Sequence, residues 1–250
     1  KTTLNLEKMK EIINKYDKIL NNHNSNFVTK SISLLHIIKS HPEYNKNYIS
    51  TSENGSNAIF FYVKILYKFF KRNFDFIITY AKRLAHESES KKIYGQNVLI
   101  ISHHVNEKFI NSENDFYFGK LTRILKKNDI SYFKLLINHT NFQAEFLNRF
   151  NKKKNQLILK NYLSLVNEIK IFLLQLKESV RLYRCLKSKN KSQRLFYKKS
   201  IFSLFDHQTK FSLRMFFLLK NLLEKIKPKY LIFTYEGFAW ERLCIKAAKE

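Results

Sequence analysis

The stretch Asn97-Val98-Leu99-Ile100-Ile101-Ser102-His103-His104-Val105 decides how the rest of the chain is read. A short, nearly continuous apolar run that ends in polar residues is the pattern of a strand buried on both faces of a parallel sheet. Downstream, Asp115 to Lys127 reads as an amphipathic helix with Phe116, Leu121, Ile124 and Leu125 inward, closed by Asn128-Asp129. Ile130 to Ile137 repeats the strand pattern and ends at Asn138-His139-Thr140. Strand, helix and strand in this order predict a βαβ unit with a right-handed crossover. Near the far end, Lys227-Pro228 stops a helix, and Tyr230 to Thr234 forms a third apolar run. Tyr235-Glu236-Gly237 is its exit, and a helix begins at Ala239.

Between the second and third strands lies a long helical stretch. Over residues 156–187, Leu159, Tyr162, Val166, Ile169, Leu173, Leu176, Val180 and Tyr183 alternate spacings of three and four, which predicts one helix with a heptad seam. Residues 188–199 are a basic connection, and Phe202 to Ile226 is a second long helix. The expectation is an antiparallel helical hairpin over 156–226, inserted in a Rossmann-like α/β domain spanning 95–250. Residues 1–90 read as a separate helical region, with helices from Leu6, from Phe27 and over Ile59 to His86, and an Asn- and Ser-rich loop over 45–57. The helix from Ala239 runs to Glu250 without a stop signal, and position 1 is Lys. Both ends therefore read as places where sequence is missing.

Composition narrows the class. With 44% hydrophobic residues the chain can bury a sizeable core, and 4 Gly and 2 Pro are too few for the many tight turns of a sandwich or barrel. The net charge of +26 suits a polyanion or an anionic surface. The lysines are spread along the chain with no recognition motif, so a specific nucleic-acid partner is not expected, and a coding bias accounts for part of the charge. Cys185 and Cys244 have neither metal-ligand spacing nor a disulfide framework, which fits a reducing cytoplasm. No apolar run reaches the roughly 20 residues of a membrane span. The basic aromatic run from Ile59 reads first as an ordinary core helix with solvated lysines, and as the alternative a membrane-surface helix in peripheral contact with an anionic inner membrane.

Each strand ends in chemically capable residues. They are His103, His104 and Asn106 after the first, Asn138 and His139 after the second, and Tyr235, Glu236 and Gly237 after the third. If the strands are parallel neighbours, these residues share the carboxyl edge, where open α/β sheets bind ligands. Glu236 would sit beside the positive end of the following helix, placed to act as a general base toward a hydroxyl. Trp240 offers a flat ring, and Glu241 extends the polar cluster. His103 and His104, adjacent on a strand, should point to opposite faces. His139, directly after an apolar strand, is the better histidine for proton transfer. No metal set and no G-x-G-x-x-G, P-loop or G-x-S-x-G motif is present.

The run Thr234 to Leu243 (T-Y-E-G-F-A-W-E-R-L) resembles the T-Y-E-G-x-x-W-E signature of bacterial surface-carbohydrate biosynthesis proteins, which are similar to capsule and O-antigen glycosyltransferases of the two-domain GT-B-like architecture. Asn97 to Asn106 resembles that family's first strand, Asn114 to Gly119 its N-D-x-Y-F-G helix start, and Ile137 to Thr140 the following strand end. Phe238 stands where the family often has His. The resemblance implies transfer of a sugar from a nucleotide-sugar, held by a domain beyond this chain, to a glycan or lipid-linked acceptor held here. It casts Glu236 and His139 as catalytic. His103, His104, Asn106, Asn138, Tyr235, Gly237, Trp240 and Glu241 would then contact substrate. A non-catalytic partner in polysaccharide assembly or export, and a basic nucleic-acid binder, are the competing expectations.

Overall fold

The computed structural model describes residues 95–250 except 141, 143, 160–162, 187–190 and 237, with residues 10, 11, 13, 14, 16, 18, 27–32, 63, 66, 67 and 70 from the preceding part. The helices expected from Leu6 and over 59–86, the loop over 45–57, and Gly237 lie outside the described residues or are described only in fragments. Two compact units emerge. One comprises Lys1–Lys82 with Ile169–Leu213, and the other Arg83–Glu168 with Arg214–Glu250.

The second unit holds a four-stranded parallel sheet in the order β3-β2-β1-β4, so the fold is α/β and Rossmann-like, as the apolar runs predict. Its strands are β1 (Val98–His104), β2 (Tyr132–Asn138), β3 (Gln156–Ile158) and β4 (Tyr230–Phe233). All seven β1 residues are buried, because β1 is covered on both faces and flanked by β2 and β4. Val98 pairs with Tyr132 and Tyr230, and the β1–β2 register runs on to His104 opposite Asn138. β4, last in the order, is only half-buried.

Helices cover one face through two apolar clusters. α2 (Leu121–Lys127) sets Leu125 and Leu121 against Val98, Ile100 and Ile232. α3 (Ala144–Phe150) sets Ala144 and Leu147 against Leu136, Ile158 and Ile110. α2 begins six residues later than the sequence pattern indicates. Residues from Asp115 form a closed turn in which Asp115 and Gly119 exchange both backbone hydrogen bonds, at 2.8 and 3.0 Å. Phe116 and Ile124, expected inward, are 52% and 55% exposed. Gly119 takes φ +53, a backbone region that glycine adopts without a Cβ penalty.

The expected helix over 156–187 is corrected at its start, where Gln156–Ile158 forms β3 and the helix α4 runs only over Leu165–Cys185. The reason is tertiary. The Asn148 side-chain amide, from α3, donates to Ile158 O and accepts from Ile158 N, both at 2.9 Å. Asn151 donates to Gln156 O at 2.9 Å, and Leu159 N reaches Leu136 O of β2 at 2.8 Å. Two asparagines thus hold in extended form a segment whose own pattern fits a helix.

The predicted heptad seam of α4 is also corrected. Val166, Ile169 and Leu173 are 74%, 51% and 56% exposed, whereas Glu168, Ile171, Gln175, Glu178 and Leu182 are buried. The buried stripe is tolerated because its polar members are partnered, as buried polar groups must be. Glu168 accepts from Arg214 at 2.5 Å within the sheet-bearing unit. In the other unit Glu178 takes the Arg181 guanidinium through both carboxylate oxygens, at 2.7 and 2.8 Å, and also bonds Thr29 of the short helix α1 (Phe27–Lys30).

The second arm of the expected hairpin is two helices, α5 (Lys191–Leu204) and α6 (His207–Ile226), separated at Phe205-Asp206. Within the first unit Gln175 donates to Leu204 O, and Tyr16 packs on Phe196 at 4.5 Å between ring centroids. The helix α7 (Ala239–Lys249) follows β4. Among the described residues no helix is long and apolar enough to cross a membrane.

Replacing Asn148 by Ala removes both hydrogen bonds to Ile158. We expect a loss of about 1–3 kcal/mol in unfolding free energy, read by urea denaturation, and at least as large a loss for N148D, which sets a carboxylate oxygen against the Ile158 carbonyl.

Candidate functional site

Strand order places the site. The chain builds β1, β2 and β3 outward in one direction and then returns to lay β4 on the other side of β1. The switch point therefore lies between the carboxyl ends of β1 and β4, the crevice in which sheets of this kind hold ligands.

His103 stands at that point. It is 6% exposed and pairs in register with Ile137, two residues before His139, so period-two alternation sets both imidazoles on one sheet face. His103 Nδ1 lies 2.7 Å from His139 Nε2, and its Nε2 lies 3.0 Å from Thr234 Oγ1, just past β4. One buried imidazole thereby links the ends of three strands. Burial, aided by the neighbouring His139 and opposed by Asp115, lowers its pKa to about 4, so His103 is neutral at pH 7. His139 is also pulled below the ordinary histidine range by burial, while Glu236 acts in the opposite direction. Glu236 is therefore close enough to stabilise a proton on His139.

Tyr117 closes the group. Its ring packs on His103 at 4.8 Å; burial first, and then the nearby Glu236 carboxylate, raise the phenol's pKa. Tyr117 is carried by the closed turn, which a buried carboxylate fixes from the opposite face of the sheet. Asp115 Oδ1 accepts from Ser102 Oγ at 2.6 Å and from the backbone N–H groups of Tyr117 and Phe118 at 2.9 and 3.1 Å. Its Oδ2 accepts from Lys134 Nζ at 3.0 Å, in a pair whose side chains are 2% and 4% exposed. Burial alone would raise the Asp115 pKa. The Ser102 hydroxyl, Lys134 and the Phe118 N–H outweigh it and hold the carboxyl below its usual range.

The other expected site residues divide by role. Glu241 is wholly buried and is the third residue of α7. Its carboxylate accepts from Phe238 N and Glu236 N, both at 2.8 Å, which caps the helix and fixes the backbone beneath Glu236. Trp240, 5% exposed, stands edge-on to His103 at 5.8 Å and packs on Phe233 at 6.3 Å, so it is a wall of the site and not an open platform. Asn138 makes a local turn, accepting from Thr140 N and donating to Phe142 O. Asn106 caps the 3-10 turn Glu107–Phe109 through Lys108 N. Tyr235 is 72% exposed. His104 lies on the face opposite His103, as adjacent strand residues must. It is 1% exposed, and neither ring nitrogen has a hydrogen-bond partner.

Tyr117, Thr234 and Asp115 lie in the motif-like runs and Ser102 at a strand end, but the sequence assigns no site role to them or to Lys134, and does not reveal the Ser102–Asp115–Lys134 group. One signal was available for the last. Lys134 is the only charged residue in a strand expected to be buried on both faces, and such an ammonium requires a carboxylate partner. Among the described residues no cluster of three or more His, Cys, Asp or Glu side chains is arranged to hold a metal.

Two expectations follow. D115A strands the Lys134 ammonium and should cost about 3–5 kcal/mol in urea denaturation. K134M leaves Asp115 with Ser102 and two N–H donors and should cost less. The histidines also set a pH dependence. Folded His103 stays neutral down to about pH 4, whereas the unfolded side chain protonates near 6.5. The unfolded state thus binds more protons in that window, so stability is full above pH 6.5 and falls toward pH 4, by about 3 kcal/mol from this residue. His104 and His139, also lowered, act in the same direction. Unfolding midpoints measured from pH 7.5 to 4 check this, and H103Q should flatten the curve. In comparisons with known proteins, no family model, no curated protein and no solved structure matches this chain.

Proposed function

We propose that this chain is the acceptor-side part of a glycosyltransferase of surface-polysaccharide biosynthesis, in which His139 and Glu236 together remove the proton of an acceptor hydroxyl. The observation that supports this most is the convergence of a neutral His103, His139, Thr234, Glu236 and Tyr117 at the switch point. The signature-like run that supplies Thr234, Glu236 and Trp240 supports the substrate class.

The two hydrogen bonds admit the proton arrangement that the reaction needs. A neutral His103 carries a single ring proton. If His139 Nε2–H donates to His103 Nδ1, then His103 Nε2–H donates to Thr234 Oγ1, and His139 Nδ1 is left with a lone pair. That nitrogen takes the hydroxyl proton as the acceptor oxygen bonds to the anomeric carbon of the donor sugar. The sugar's bond to the nucleotide breaks, and the nucleotide leaves with the bonding electron pair. Glu236 stabilises the resulting imidazolium, and Glu241 holds the backbone that carries it by accepting from Glu236 N. The donor is a nucleotide-sugar held by residues beyond this chain, and the reaction takes place on the cytoplasmic side.

H139Q and E236Q should each lower kcat about 10²–10⁴-fold with the fold retained, measured as sugar transfer by the full-length protein. Because the His139 pKa is lowered, the acid limb of the pH–rate profile should fall below pH 6.5. Full transfer activity in both variants would exclude the base assignment. Binding of a glycan without any transfer would favour the assembly-partner alternative.

A further inference from the structure

Beyond β2 the chain places three phenylalanines on the outside of the sheet's helical cover. Ala144 and Leu147 of α3 face the strands. Phe142, Phe146 and Phe150, four residues apart, point the other way and are 48%, 47% and 56% exposed. Their rings form a continuous row, with Phe142 stacked on Phe146 at 5.9 Å and Phe146 edge-on to Phe150 at 4.8 Å. Exposing three aromatic rings in contact with one another costs hydration free energy, and a monomer does not normally concentrate it in one place.

Exposed cations accompany the row along the chain: Arg149 lies on the helix, and Lys152 and Lys154 come shortly after it. The neighbouring helix α2, on the same sheet face, adds exposed Arg123, Lys126 and Lys127. An apolar row accompanied by cations fits a fluid anionic boundary, where rings enter the acyl–headgroup zone and cations meet lipid phosphates. A protein partner would have to match the row in shape, whereas a bilayer need not.

We propose that the Phe142–Phe146–Phe150 row and the accompanying Arg149, Lys152 and Lys154 form a docking surface for an anionic lipid bilayer. The row starts at the catalytic edge, since Phe142 O accepts from Asn138 Nδ2 at 2.8 Å and His139 immediately follows Asn138. The binding claim does not rest on transfer chemistry.

The test is co-sedimentation of the full-length protein with vesicles of phosphatidylcholine alone or with about one-third phosphatidylglycerol. Binding should require the anionic lipid. F146S/F150S should lower the partition coefficient at least tenfold, since each ring loses its apolar contact. R149Q/K152Q/K154Q should lower it roughly fivefold per charge and remove the preference for phosphatidylglycerol. All five positions are exposed, and unchanged far-UV circular dichroism verifies that the variants fold. Unchanged partition in both variants would overturn the proposal. So would concentration-dependent self-association that F146S/F150S abolishes while vesicle binding persists, because the row would then be an interface between copies. No sugar donor or acceptor is present, so the transfer reading can fail without affecting this outcome.

Discussion

The ion pair between Lys134 and Asp115 is the constraint on which the site depends. Two opposite charges are withdrawn from water in the interior of the sheet, and such a pair contributes little net stability. What it contributes is position. The carboxylate binds β1 through Ser102, β2 through Lys134 and the following turn through two backbone N–H groups. These four donors together hold the turn in one orientation. That orientation sets Tyr117 over His103 and starts α2 where Leu121 and Leu125 can reach the strands. The polar network on one face of the sheet thereby fixes the chemistry on the other.

The same division explains what could be read from the chain. β1, β2 and β4 were legible because strands buried between helices are apolar without alternation, a purely local signal. The carboxyl-edge location followed from the same signal, and it brought His103, His139 and Glu236 into consideration. The stripe of α4 that faces inward was not legible. Spacing marks Val166, Ile169 and Leu173 as the apolar seam, yet Glu168, Gln175 and Glu178 are buried because Arg214, the Leu204 carbonyl and Arg181 satisfy them. These partners are remote or depend on rotamer, and periodicity carries no information about them. β3 was missed for a related reason, since its extended form is imposed by asparagines from a different element.

Within the site, identity was more legible than role. Glu241 and Trp240 were expected as ligand contacts, and both are fully used by the fold, one as a helix cap and one as a wall. Each stands within the first turn of α7, where a backbone that has just left a strand needs an acceptor for its amides and an apolar anchor against the sheet. Glu236, five residues before Glu241, is exposed because Glu241 has already met that requirement. Which of two nearby carboxylates serves the fold is settled by hydrogen bonding that the residue types do not specify.

The asparagine hold on β3 has a consequence for how this sheet can grow. An outer strand ordinarily presents a row of amides and carbonyls that recruit another strand, a common route to aggregation. Here the Ile158 N–H and C=O are already engaged by a side chain, so the β3 margin is sealed against an incoming strand. Accretion of a further strand, from this chain or another, is thereby directed to the β4 margin. That margin also borders the crevice where Thr234 meets His103, so lengthening the sheet would remodel the mouth of the site and leave its far side untouched.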